Sequence, residues 1–171
     1  MSKVIQQTEF RLKVLRSGTI PAALERAERY RLLNEPTQAE SICLDILAAD
    51  AGNQVALILL LLSLTDQFEN PHAEERASAL LPQLSDDYQR AYYQGIIHER
   101  RARARLHLSA PGGGHTAYHL LREAMACYEA AEKLRPVDND EAVLRWNTCA
   151  RTIMCEHLQP APIDESITML E

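Results

Sequence analysis

Aromatic side chains are scarce in this chain, with two Phe and one Trp among 171 residues and aromatics only 5% of the whole. A β-sandwich fills its core with aromatic and β-branched residues on alternating positions, and a core dominated by Leu and Ala does not suit one. It suits helices that approach closely through small side chains. Positive charge is also in deficit. A formal net charge of −6 leaves no basic footprint for general nucleic-acid binding. The one basic run, Arg100, Arg101, Arg103 and Arg105, spreads around a helix without forming a single stripe and reads as a solvated, ion-paired surface. Long hydrophobic runs are missing too. The longest, Val55 to Leu64, is about ten residues, where a membrane span needs ~20, so it reads as a helix buried on nearly all sides. The leading residues MSKVIQQTEFRLKVLRSG carry charge throughout and hold no apolar block, so no secretory signal is expected there. The four cysteines are far apart and fall inside helical patterns, as free core thiols in a reducing cytoplasm would.

Catalytic and metal-site patterns are equally thin. His115 and His119 stand four apart and would share a helix face, but they lack the intervening Glu of a zinc-protease helix and a nearby third ligand. They read as a solvent-facing pair. Cys149, Cys155 and His157 have no zinc-site spacing and are assigned to the core. The loop APGGGH lacks the Gly-Lys-Ser/Thr ending of a phosphate loop and joins two helices rather than a strand and a helix. Glu74–Glu75 and Asp86–Asp87 sit where helices start, which the helix dipole favours. No catalytic residue, metal or cofactor is expected from these patterns, and a small helical enzyme or metal protein using His115 or His119 is the outside reading.

What is present is helix punctuation. Asn70 precedes Pro71, Asn34 precedes Glu35-Pro36, Thr19 precedes Ile20-Pro21, and Gly52-Asn53 reads as a stop followed by a start. Asp138 and Glu141 have the spacing of a capping box. The apolar residues between these marks follow a helical period. Eight helices are expected near 3–16, 20–33, 36–49, 53–67, 71–82, 86–108, 115–134 and 139–157, followed by an extended tail over 159–171.

The helices come in short pairs with a repeat. Tyr30 and Leu64 stand 34 positions apart, as do Ala39 and Ala73, Cys43 and Ala77, Leu47 and Leu81, and Ala27 and Leu61. This spacing, with Ala23, Ala27, Tyr30, Ala39 and Cys43 in the first unit and LREAMACYEAAEKLRP in the last, resembles the tetratricopeptide family, whose 34-residue unit is a helix pair. The resemblance implies an all-α fold of antiparallel pairs stacked as a short right-handed solenoid. Its units would be 20–53, 54–87 and 88–138, with helices 3–16 and 139–157 capping a single domain over 1–158. The third unit is 17 residues too long, an excess lying in the insertion 103–119, so its two helices should overrun normal length and meet at Ser109 to Gly114. Small residues at Ala27, Ala39, Ala73, Gly95, Ala124 and Ala131 would admit close helix contacts.

In that family the first helix of each pair lines a concave face. Carried over, this implies a partner-binding groove from Leu24, Glu28 and Arg31, then Val55, Ile58 and Leu62, then Tyr92, Ile96, Glu99 and Arg100, with Tyr92 as its anchor. The lysine, asparagine and arginine clamp of family members that hold chaperone C-termini is absent, its matching places holding Leu24, Glu28, Ile58, Leu62 and Tyr92. The implied function is capture of a peptide or amphipathic helix, by a non-enzymatic module with a protein partner and no nucleic acid or membrane. A homodimer, or the chain's own ends, could fill the groove instead. A bacterial secretion-type tetratricopeptide chaperone is the alternative on size and acidity.

Overall fold

The computed structural model describes residues 10–108 and 112–162. Within them lie seven α-helices, α1 (Ile20–Leu32), α2 (Pro36–Ala49), α3 (Gln54–Thr65), α4 (Pro71–Leu80), α5 (Asp87–His107), α6 (Gly113–Leu134) and α7 (Glu141–Cys155), two short 3₁₀ turns, and no strand. Each helix begins and ends within two residues of its sequence-based bounds, the usual spread of such assignments.

The caps explain most boundaries. Asn53 accepts from the Ala56 amide at 3.0 Å, Asn70 from His72 at 3.1 Å and Asp86 from Gln89 at 2.8 Å, each satisfying one of the free amides that open a helix. Asn34 ends α1 in the left-handed region, at φ 61°, where Asn is among the few residues tolerated. The capping box does not form. Asp138 itself is left-handed, at φ 66°, and Asn139 accepts from the Glu141 amide in its place.

The expected first helix is corrected. Residues 10–16 carry no helix, and 1–9 lie outside the described residues. Phe10, Leu12 and Val14 alternate with period two, so on a helix Leu12 would stand opposite the face shared by Phe10 and Val14, and the three would form no single stripe. Leu15 is the segment's anchor, packed against the cluster of Ile20, Ile46 and Ala56. The loop expected over 109–114 and the tail beyond Pro162 fall mostly outside the described residues. Gln159 to Pro162 are non-helical.

Packing follows chain order. α1 lies on α2, α2 on α3, α3 on α4 and α6 on α7, and α5 with α6 forms the most extensive pair. Alternate helices also meet, α1 with α3 and α3 with α5. The small residues sit where the helices close up: Ala27, Ala39, Ala73, Ala124 and Ala131 are all buried. Gly95 is tighter still, since a Cβ there would lie 2.5 Å from Tyr128 Cε1. The apolar helix α3 is largely enclosed, apart from an exposed Val55. Cys43 and Cys149 are buried thiols pushed up to about 12 by that burial, which makes them inert at neutral pH. Cys155 and His157 are exposed and Cys127 is half-buried, so the assignment of every thiol and of His157 to the core is corrected.

These contacts set a stability test on one helix. Ala124→Leu, into a closed contact, should cost ~1–3 kcal/mol. Ala126→Leu, two residues on and exposed, should change stability by only a few tenths. Thermal melts of both variants check this, with the Ala124 variant expected roughly 2–12 °C below the Ala126 variant.

Candidate binding cleft

Asp66, at the C-terminal end of α3, gathers one arginine from each neighbouring odd helix. Arg31 Nε of α1 lies 2.8 Å from Asp66 Oδ2, and Arg100 Nη1 of α5 lies 3.3 Å from Oδ1. All three side chains are half-buried, so their mutual attraction is less screened than that of a surface pair. The bridge ties α1, α3 and α5 along one face.

Beside it lies a cleft of about 400 Å³. Asn34 closes it from the turn after α1, and Thr65, Asp66, Phe68 and Glu69 form one wall. The other wall is Arg100, Arg103, Ala104, His107 and Leu108. α5 can supply that wall because it is 21 residues long against 12 for α3, so its last turns overhang the end of α3. The length of α5 therefore acquires a structural role. Arg100, Arg103, Ala104 and His107 recur at helical spacing and share one stripe of α5. Arg103 is exposed, reaching only loosely to Glu99 at 3.8 Å, and His107 is exposed as well.

The structure divides the ten expected groove residues. Arg31 and Arg100 are brought together through Asp66, and Arg100 lines the cleft. Glu28 and Val55 are exposed on their helices, while Leu24, Ile58 and Leu62 are half-buried against the core. Tyr92, Ile96 and Glu99 are buried, a correction to their expected place on an open groove. They form an i, i+4, i+7 stripe that α5 turns inward on α6 and α7. Tyr92 packs at 5.8 Å, ring centre to ring centre, from Tyr128 of α6.

Glu99 is a core carboxylate at 4% exposure. It accepts from the Tyr128 hydroxyl at 2.8 Å and from Arg145 Nη1 of α7 at 3.2 Å. Burial, and then the Glu99 charge, push the Tyr128 hydroxyl well above its ordinary value, so it remains a donor at any physiological pH. The Tyr128–Glu99–Arg145 node joins α5, α6 and α7. Arg103, Phe68 and Glu69 are absent from the expected groove, and the one usable signal for Arg103 is the 100–103–107 spacing, which the spread of the whole arginine run conceals.

Chemically the cleft offers guanidinium and imidazole donors, carboxylate acceptors, and apolar surface from Phe68, Ala104 and Leu108. Its one hydroxyl, on Thr65, is buried and donates to the Leu62 carbonyl at 2.8 Å. Among the described residues no group of three or more His, Cys, Asp or Glu side chains converges to hold a metal. His115 Nδ1 donates to the Gln159 carbonyl, 3.0 Å away, while His119 is exposed. No helix among the described residues is long and apolar enough to cross a membrane.

Two consequences are measurable. Glu99→Ala strips Arg145 and Tyr128 of their acceptor and should cost toward the lower end of the ~3–5 kcal/mol typical of a broken buried pair, because Arg145 partly reaches solvent. Tyr128→Phe keeps the arginine contact and should cost ~1–3 kcal/mol. Urea unfolding of both variants tests that order. Separately, burial lowers the pKa of His98, outweighing Glu123, whose Oε2 lies 3.0 Å from its Nδ1 but off hydrogen-bond geometry. Arg101 adds to the lowering, while Glu74 opposes it. The unfolded chain therefore takes up a proton below about pH 6.5 that the folded chain resists, and stability falls as the pH drops through that range. The melting temperature should fall less on acidification in His98→Gln than in the parent chain.

Comparison with protein-family models, with curated proteins and with solved structures finds no match.

Proposed function

We propose that this chain is a tetratricopeptide-like, non-catalytic interaction module that binds an extended polypeptide segment across the face shared by α1, α3 and α5. The observation that carries the reading is the cleft beside Asp66. Three alternate helices converge there, and Arg103 and His107 stand exposed in it without a role in the core. The meeting of α1 with α3 and of α3 with α5 is what a stack of helix pairs with first helices side by side requires. The buried small residues at the family spacing support the same arrangement.

In this reading the bound segment lies against Phe68, Ala104 and Leu108. Arg103 and His107 hold a carboxylate or backbone carbonyls, and Asn34 and Glu69 meet backbone amides. Apolar wall and polar donors together set orientation, as in concave sites generally. Tyr92 and Ile96 contribute by fixing α5 against α6 and make no contact with the ligand. The partner is a protein, and the compartment is the cytoplasm.

Selection of a displayed random-peptide library on the folded chain tests this. Enriched peptides should share a motif containing an acidic residue, and Arg103→Glu/His107→Glu should weaken them at least about tenfold, near 1.4 kcal/mol, with helicity unchanged. Enriched peptides that bind this variant as well as the parent would place the binding face elsewhere. Failure to enrich any motif would remove the peptide-binding reading itself.

A further inference from the structure

Phe10, Leu12 and Val14 are 87%, 90% and 86% exposed, on alternate positions of a segment that carries no regular structure. Paired in an extended conformation, such residues would present a single apolar edge, with Arg11 and Lys13 on the other side. Three large side chains left in water at adjoining positions form a patch of the kind that marks a contact surface. With Arg16, the segment 10–16 carries three positive charges and no negative one, on a chain whose formal charge is −6. Two such segments pairing side by side would oppose like charges, which disfavours that arrangement.

The opposite end of the helix order offers the complement. At the turn of the α6–α7 hairpin, Leu134, Val137 and Leu144 are exposed, Val137 at 91%. Around them residues 129–141 contain Glu129, Glu132, Asp138, Asp140 and Glu141 against Lys133 and Arg135, a net of three negative charges. Three apolar side chains and three net charges of each sign therefore face solvent at two ends of one chain. They do not reach each other within it. Leu15 fixes the segment in the cluster of α1 and α2, and the five residues ahead of Leu15 extend at most ~18 Å. From α1 to α7 the packing passes through α3, α5 and α6, each step about 8–10 Å.

We infer that segment 10–16 of one copy docks on the α6–α7 end of a second copy, burying Phe10, Leu12 and Val14 against Leu134, Val137 and Leu144. The basic side chains lie along Glu132, Asp138 and Glu141. A contact between two different surfaces of the same chain is heterologous, and its charges make it sensitive to salt. It uses no residue of the cleft, so it stands or falls apart from the peptide-binding reading.

Charge exchange tests it with the full-length chain in sedimentation equilibrium. At low salt the mass should rise with concentration above the 19.3 kDa of one copy, and added salt should reverse this. Arg11→Glu/Lys13→Glu should abolish association, and so should Glu132→Lys/Glu141→Lys. The two variants mixed together, or all four substitutions in one chain, should associate again. Circular dichroism checks that each variant remains folded, and Leu12→Ser supplies a second loss that leaves the charges unchanged. A parent chain of single-copy mass at every concentration and low salt would overturn the inference. So would a folded four-fold variant that fails to regain association, or association that survives both charge reversals. Binding of segment 10–16 to vesicles of phosphatidylcholine and phosphatidylserine by a chain that stays single-copy would assign it to a lipid surface and overturn the inference as well.

Discussion

Gly95 is the constraint on which the second half of the chain depends. The ring of Tyr128 lies 2.5 Å from where its Cβ would be, so α5 and α6 come together there only because Gly95 has no side chain. The approach brings the Tyr128 hydroxyl to Glu99, one turn along α5, and Glu99 in turn holds Arg145 of α7. Three helices are thereby registered by one ring and one carboxylate. A wholly apolar contact could stabilise as much, since desolvating an ion pair consumes most of what its attraction returns. What the polar contact adds is direction: the hydroxyl and guanidinium must both reach the same buried oxygens, and sliding either helix by a turn would strand a charge.

That register decides which side of α5 faces outward. With Tyr92, Ile96 and Glu99 turned in on α6 and α7, the stripe of Arg100, Arg103 and His107 comes to the α3 side. Asp66 then captures Arg100 and, through Arg31, brings α1 to the same edge. Further links act between the helices on the other side, such as Arg76 to Glu40 at 2.6 Å and Arg101 to Glu74 at 2.6 Å. These are partly exposed pairs worth little singly, and the buried Leu and Ala contacts carry the packing. The cleft is thus a product of inequality in length. Had α5 stopped level with α3, there would be no overhang and no second wall.

The helices were legible in the sequence because proline, asparagine and aspartate mark their starts and the apolar residues keep a helical period between them. Two features were not. The segment over 10–16 is one: the expectation of a helix over 3–16 overlooks that Phe10, Leu12 and Val14 alternate with period two. The groove residues of α5 were placed by transferring a 34-residue spacing, and a shift of one position rotates a helix by about 100°. Arg100 lies on the stripe that faces α3, while Tyr92, Ile96 and Glu99 lie on the adjacent, buried one. The inward pull came from Gly95 and Tyr128, two residues 33 positions apart whose contact no local pattern reveals. Cys155 and His157 differ for another reason: α7 ends at Cys155 and His157 turns away at φ 50°, both exposed.

On the function proposed above, an extended polypeptide docks where α5 overhangs the end of α3. The most direct measurement is backbone amide NMR of the folded chain during titration with a peptide selected by display. Shifts should concentrate at Asn34, Thr65 to Glu69 and Arg100 to Leu108, with Tyr128 and the α6–α7 turn unmoved. Saturable binding whose shifts cluster on α7 or on residues 10–16, leaving Arg103 and His107 unchanged, would contradict it.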